Sequence, residues 1–263
     1  STSKRPVNIA FLTSIRDVGK DDQNGQMIAT AKGLSYMRGV VEEAIWQSTG
    51  GALKGAVRIT AIITDDREKD LVGSSYHYIP AKGKEWICPQ DLPLEHGRMA
   101  RDIVVNIPSE FRAIPMGEQA LRRDAKQDFE RKILQIAEAS GAQVLVSDHY
   151  MARIEHLING LGWYGRVLNI HPAVTEKGSP FCFRGKHPTA DALAAARAGI
   201  EVRTGATLHI VNDQFDDGPI IYWAAPTPVY ATDTPQQLRF RNYQMAKLPV
   251  FVEGLRKYIE KTF

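Results

Sequence analysis

Four short runs of aliphatic and β-branched residues constrain this chain more than any other feature. They are "PVNIAFLTS" (6–14), "AVRITAIITDD" (56–66), "AQVLVSDHY" (142–150) and "RVLNIH" (166–171). Each has the length and composition of a buried strand. Helical patterns fall between them. Met27, Ala31, Leu34, Met37, Val41 and Ile45 recur at three- and four-residue steps, which predicts an amphipathic helix from Gln26 to about Trp46. Helical periodicity returns at 118–139, at 189–200 and from 234 to the end, where Pro249 should kink or break the pattern. "GATLHIVND" and "GPIIYWAAPTPV" read as two strands about the turn "DQFDDG". Strands alternating with helices predict an α/β fold: an open, mostly parallel twisted sheet with helices on both faces.

The 263 residues suit one domain enlarged by insertions near 15–25, 67–117 and 173–183. The middle insertion carries Pro80, Pro89, Pro93, Pro108 and Pro115, so short helices and loops are expected there. A formal net charge of +3 is too small to suggest a nucleic-acid binder. No apolar run approaches the roughly 18 residues that span a membrane. The first residues lack the apolar core of a signal peptide. Cys88 and Cys182 stand in no CxxC or Cys/His cluster, so no metal is expected and both read as reduced thiols of a cytoplasmic protein.

In such sheets, ligands bind beyond the carboxyl ends of the strands. Polar side chains concentrate there. Asn169 and His171 are two apart and share a face of their strand, and Pro172 ends the ladder. "FRGKHP" (183–188) follows, then "TGATLH" (204–209), with Thr207 and His209 on one strand face, then "DQFDDGPII" (213–221). Taken singly, an Asn and a His at a strand end are most often hydrogen-bonded structural groups. Two aspartates before a glycine are most often turn formers.

The order Asn-x-His-Pro, basic Gly turn, Thr-Gly-x-Thr-x-His, Asp-x-Gly-Pro-Ile-Ile resembles the folate-dependent formyltransferase family over about 142–249. The resemblance implies a Rossmann-like sheet, 10-formyltetrahydrofolate as co-substrate and a catalytic set of Asn169, His171 and Asp216. It implies that "HYMARI" lines the pterin pocket with Met151, Arg153 and Ile154. The turn 213–217 would add Asp213, Phe215 and Asp217.

The family's purine members carry a compact Gly-Ser-Asn-type loop after the first strand, which cradles a substrate phosphate. Here "SIRDVGKDDQNGQ" is longer and acidic. Those members also place a Glu on the C-terminal helix near the substrate amine, where the spacing to Pro249 puts Gln244. In both respects the chain is similar to the family members that formylate the hydroxylamine nitrogen of hydroxyornithine for the siderophore pyoverdine. The implied partner is then that small amino acid, with neither nucleic acid nor membrane involved. Gln244 would lie near its nitrogen. Arg16 or Lys20, with Asp17, Asp21 or Asp22, would hold its amino-acid end. Phosphoribosylglycinamide and sugar amines remain the alternative acceptors. A dinucleotide oxidoreductase would need a GxGxxG turn after the first strand, which is absent.

Overall fold

The computed structural model describes residues 4–14, 27–30, 33–36, 38–70, 92–183 and 187–263. Its main sheet has seven strands: β1 (Val7–Thr13), β4 (Val57–Thr64), β5 (Val104–Asn106), β6 (Val144–Asp148), β7 (Val167–His171), β8 (Val202–Ile210) and β9 (Ile220–Val229). Their order across the sheet is β5-β4-β1-β6-β7-β8-β9. The first five strands pair in parallel, and β8 and β9 add antiparallel at one edge.

Alternation along β1 assigns the two faces. Ile9 and Phe11 join one apolar cluster with α1 (Val40–Gly50) and α6 (Leu248–Thr262). Ala10 and Leu12 join another with α2 (Gln119–Ala139) and α3 (His156–Asn159). The central strands are buried on both sides, as their uninterrupted apolar composition requires. A smaller cluster packs α4 (Pro188–Arg197) and α5 (Pro235–Asn242) against Val202 and Val229. Among the described residues, no helix is long and apolar enough to cross a membrane. Cys182 is a free thiol, whereas Cys88 lies outside the described residues.

Two expectations need correction. The stretch 26–46 is not one helix. Met27–Thr30 (β2) and Gly33–Tyr36 (β3) form an antiparallel hairpin, and the helix begins only at Val40 after Gly39. The matching apolar spacing was coincidental; Gly33 and Gly39 weaken a helix, and Ile28 and Thr30 favour a strand. The insertion 67–117 holds short 3₁₀ helices as expected, but also the edge strand β5. That strand is only three residues long, too short for periodicity to reveal. Residues 71–91 lie outside the described residues.

The Pro249 break is present in an unforeseen form. Thr234 caps α5 by accepting a hydrogen bond from the Gln237 amide. A π-turn, Tyr243–Lys247, then separates α5 from α6, with Pro249 in the first turn of α6. The wider turn relieves the clash that proline makes with the preceding helical turn.

Candidate active site

β7 ends at the carboxyl edge of the sheet, and its last residues include Asn169 and His171, the polar pair expected to act there. Leu168 and Ile170 face the cluster with α1 and α6. Asn169 and His171 therefore face the opposite side. Antiparallel β8 sets His209 across from Asn169 and Thr207 across from His171. Thr207 Oγ1 donates to the Ala173 carbonyl at 2.9 Å and accepts from the Thr175 amide at 3.1 Å. It thereby pins the chain leaving His171.

Hydrogen bonds settle the orientation of the amide and both imidazoles. His209 Nδ1 lies 3.0 Å from the Ile210 carbonyl, which can only accept. The proton is therefore on Nδ1, and Nε2 accepts from Asn169 Nδ2 at 3.2 Å. This leaves the remaining Asn169 N–H and its carbonyl for the cavity. His171 Nδ1 lies 3.4 Å from Asp216 Oδ1. A carboxylate also only accepts, so Nδ1 holds the proton and Nε2 carries the lone pair. That Nε2 is buried and has no hydrogen-bond partner among the described residues. Burial lowers the His171 pKa from 6.5 to about 4, against the opposing pull of the Asp216 carboxylate. The imidazole is thus neutral near pH 7, with a base nitrogen awaiting a partner.

Asp216 reaches this position by an uncommon backbone, φ 53°. Aspartate tolerates the left-handed region better than most residues. Gly218 lets the same turn close: a Cβ there would stand 1.5 Å from the Ile210 carbonyl oxygen and 3.2 Å from His209 Nδ1.

Asn169, His171, His209 and Asp216 border a cavity of ≈ 450 Å³. One wall is the segment after β6, including Met151, Arg153 and Ile154; the opposite wall is the turn with Gln214 and Phe215. The Arg153 guanidinium stands 5.3 Å from the Phe215 ring centroid, joining the two walls. Apolar walls around a few fixed polar groups suit a flat heterocycle, so the residues present fit a folate.

The structure separates the remaining expected residues. Asp213 and Asp217 do not border this cavity; Asp217 pairs with Lys177 at 3.5 Å. Gln244 borders a different cavity, ≈ 580 Å³, with Arg38, Glu43 and Trp46. Arg16, Asp17, Lys20, Asp21 and Asp22 lie outside the described residues, as do Arg184, Gly185 and Lys186. Among the described residues, no group of histidine, cysteine and carboxylate side chains is arranged to hold a metal.

Sequence reasoning missed Lys247 and Arg239, which also border this cavity, as do Asp148 and His149 at the start of the expected pterin-pocket segment. Lys247 is 1% exposed and donates to Asp148 Oδ1 at 2.8 Å and to the Tyr243 hydroxyl at 3.1 Å. A lysine inside the apolar stretch "MAKLPVFV" was its only sequence signal.

Over its full length the chain is similar to a solved structure described as PvdF of pyoverdin biosynthesis, a structurally unique N10-formyltetrahydrofolate-dependent formyltransferase. The TM-score is 0.85 at 28% identity, covering 98% of this chain and 100% of that one. Phosphoribosylglycinamide formyltransferase from Bacillus halodurans has the same fold, with a TM-score of 0.59 at 18% identity, covering 97% of each chain. The phosphoribosylglycinamide formyltransferase of Mycobacterium tuberculosis is 43% identical over 79 residues, 30% of this chain and 32% of that relative. The chain thus spans about a third of the length of that curated relative. The profile of the formyl transferase family matches residues 91–253, from just before β5 into α6 and through the whole constellation of Asn169, His171 and Asp216. On that match, which takes in more than half of its residues, the chain belongs to the formyl transferase family.

Proposed function

We propose that the chain transfers a formyl group from 10-formyltetrahydrofolate to the side-chain hydroxylamine nitrogen of hydroxyornithine, giving a formyl hydroxamate for a pyoverdine-type siderophore. The observation that carries the transfer chemistry is the buried Nε2 of a neutral His171, without a hydrogen-bond partner among the described residues, oriented through Nδ1 by Asp216 and set beside Asn169.

Bound 10-formyltetrahydrofolate would supply the formyl carbon, and acyl transfer to nitrogen builds negative charge on the formyl oxygen. Asn169 supports that charge with its remaining N–H. His171 Nε2 takes the proton from the acceptor nitrogen as the new C–N bond forms. It returns a proton to the folate nitrogen as the old C–N bond breaks. Asp216 holds the tautomer throughout and offsets the charge of the transient imidazolium. Protons and electron pairs balance with no side chain acylated. Met151, Arg153, Ile154 and Phe215 hold the pterin; Asp213 and Asp217 would act only through the backbone of their turn.

Two observations support a hydroxylamine acceptor over a phosphorylated one. The likeness to PvdF extends over nearly the whole chain. The first turn of α1 carries Glu42 and Glu43, both buried, where a phosphate-binding helix start would stay free of carboxylates. A hydroxylamine nitrogen is neutral at pH 7 and attacks without prior deprotonation. The segment 43% identical to a phosphoribosylglycinamide formyltransferase favours the purine acceptor as the second reading. Incubating the protein and 10-formyltetrahydrofolate with hydroxyornithine, glycinamide ribonucleotide or an amino sugar nucleotide decides the matter. The expected result is the highest kcat/KM for hydroxyornithine; faster turnover of either other acceptor overturns the assignment.

A further inference from the structure

Among the described residues, three cationic side chains border the cavity that holds His171: Arg153, Arg239 and Lys247. Two of them have evident tasks. Lys247 is enclosed, and its ammonium is taken up by Asp148 Oδ1 at 2.8 Å and the Tyr243 hydroxyl at 3.1 Å. Arg153 is exposed and lies against Phe215 on the wall expected to hold the pterin. Arg239 differs from both. It comes from α5 and is half-buried, with its guanidinium carbon 5.9 Å from the centroid of the Tyr243 ring. A ring face holds a guanidinium without using its N–H groups. The two carboxylates bordering the cavity are committed elsewhere, Asp216 to His171 and Asp148 to Lys247. The placement of α5 adds a second observation. The helix lies alongside β2, the strand that follows the acidic loop 15–25. That loop is where the sequence puts the amino-acid end of the acceptor. Through Arg239, α5 joins the cavity to that side of the molecule.

We propose that Arg239 is the carboxylate-binding residue of the cavity and determines acceptor specificity by taking the α-carboxylate of the amino-acid acceptor. The inference rests on the reading of the chain as a formyltransferase acting on hydroxyornithine. A carboxylate entering a cavity with apolar walls loses its hydration and needs a charged partner. The planar fork of a guanidinium meets both carboxylate oxygens at once, which fixes direction as well as supplying charge. The reacting nitrogen of the acceptor lies at the far end of a flexible aliphatic chain. Anchoring the carboxylate reduces the freedom of that chain and helps bring the nitrogen to His171. An acceptor without the carboxylate would leave the guanidinium without that bond, so the site should discriminate against it. The glutamate end of the folate is the other source of a carboxylate, and the experiment below separates the two.

The test uses two acceptors, hydroxyornithine and its counterpart in which hydrogen replaces the α-carboxylate. Both carry the same hydroxylamine. The wild type should favour hydroxyornithine by about 10- to 100-fold in kcat/KM, the worth of a charge-assisted hydrogen bond. Arg239→Gln removes the charge and keeps a polar side chain of similar reach. It should lose about 10- to 100-fold toward hydroxyornithine and at least about tenfold less toward the counterpart, so that the preference collapses. A wild type without preference overturns the proposal even if the variant fails to fold. Equal losses toward both acceptors overturn it too, because they would make Arg239 a support for Tyr243 and the fold. A loss confined to KM for 10-formyltetrahydrofolate overturns it by assigning Arg239 to the folate glutamate. A wild type that formylates neither acceptor refutes the functional reading, and this inference with it. One that formylates hydroxyornithine but is matched by Arg239→Gln refutes the inference alone.

Discussion

Asp216 combines an uncommon backbone with a charge. Its φ of 53° is one that asparagine adopts as readily, so Asp216→Asn removes the charge and keeps the turn. The expected result is a loss of about 10²–10⁴ in kcat with folding intact, read from the release of tetrahydrofolate. The His171 midpoint should fall further, because Asp216 is the group that raises it. His171 also links pH to stability. Its folded pKa of about 4 lies below the ordinary 6.5. Between those values the unfolded chain binds a proton that the folded chain does not. The contribution is therefore complete above pH 6.5 and is lost as pH falls toward 4, by on the order of 3 kcal/mol. Urea denaturation between pH 7 and 4.5 should show this difference between the wild type and His171→Gln. At this scale the sequence was most legible, since Asn169, His171 and Asp216 occupy short motifs. Lys247 was not, because its partner Asp148 is 99 residues away.

Elements set these residues in register. The β8–β9 connection depends on Gly218, whose missing side chain lets the Asp216 turn close over Ile210. Gly218→Ala should force the turn away from β8 and lower kcat at least about tenfold, although alanine adds no charge and borders no part of the cavity. Circular dichroism and a steady-state assay together check this: full activity with a native spectrum would show that the turn can shift without moving Asp216. The same scale exposed the weakest sequence reading. Apolar residues at helical steps over 26–46 fit a helix, yet the chain forms the β2–β3 hairpin and starts α1 at Val40. Periodicity records which positions are apolar, not which partners cover them. The π-turn was equally hidden, because Pro249 signals a break but not how the backbone accommodates it.

Across the whole molecule, the two apolar clusters clamp the sheet so that β6 and β7 present their carboxyl ends rigidly. Phe11 of β1 and Phe251 of α6 lie at the centre of one cluster, fully buried, with ring centroids 6.0 Å apart. Phe251→Ala should cost about 3–5 kcal/mol, measured as a lower urea midpoint, while kcat of the protein that remains folded stays within about threefold. A far larger loss of kcat would mean that α6 transmits its packing directly to the π-turn and Lys247.

The central strands β1, β4, β6 and β7 and the polar face of β7 were determined by local composition, because β-branched runs and period-two spacing are properties of adjacent residues. The proposed catalytic set was legible for the same reason, through motifs a few residues long. Only the tertiary structure decided that His171 would be buried and neutral, that its Nε2 would have no partner among the described residues, and that a lysine from the π-turn would border the same cavity. Those properties depend on desolvation and on charges brought together from distant parts of the chain, and neither is written in any one segment.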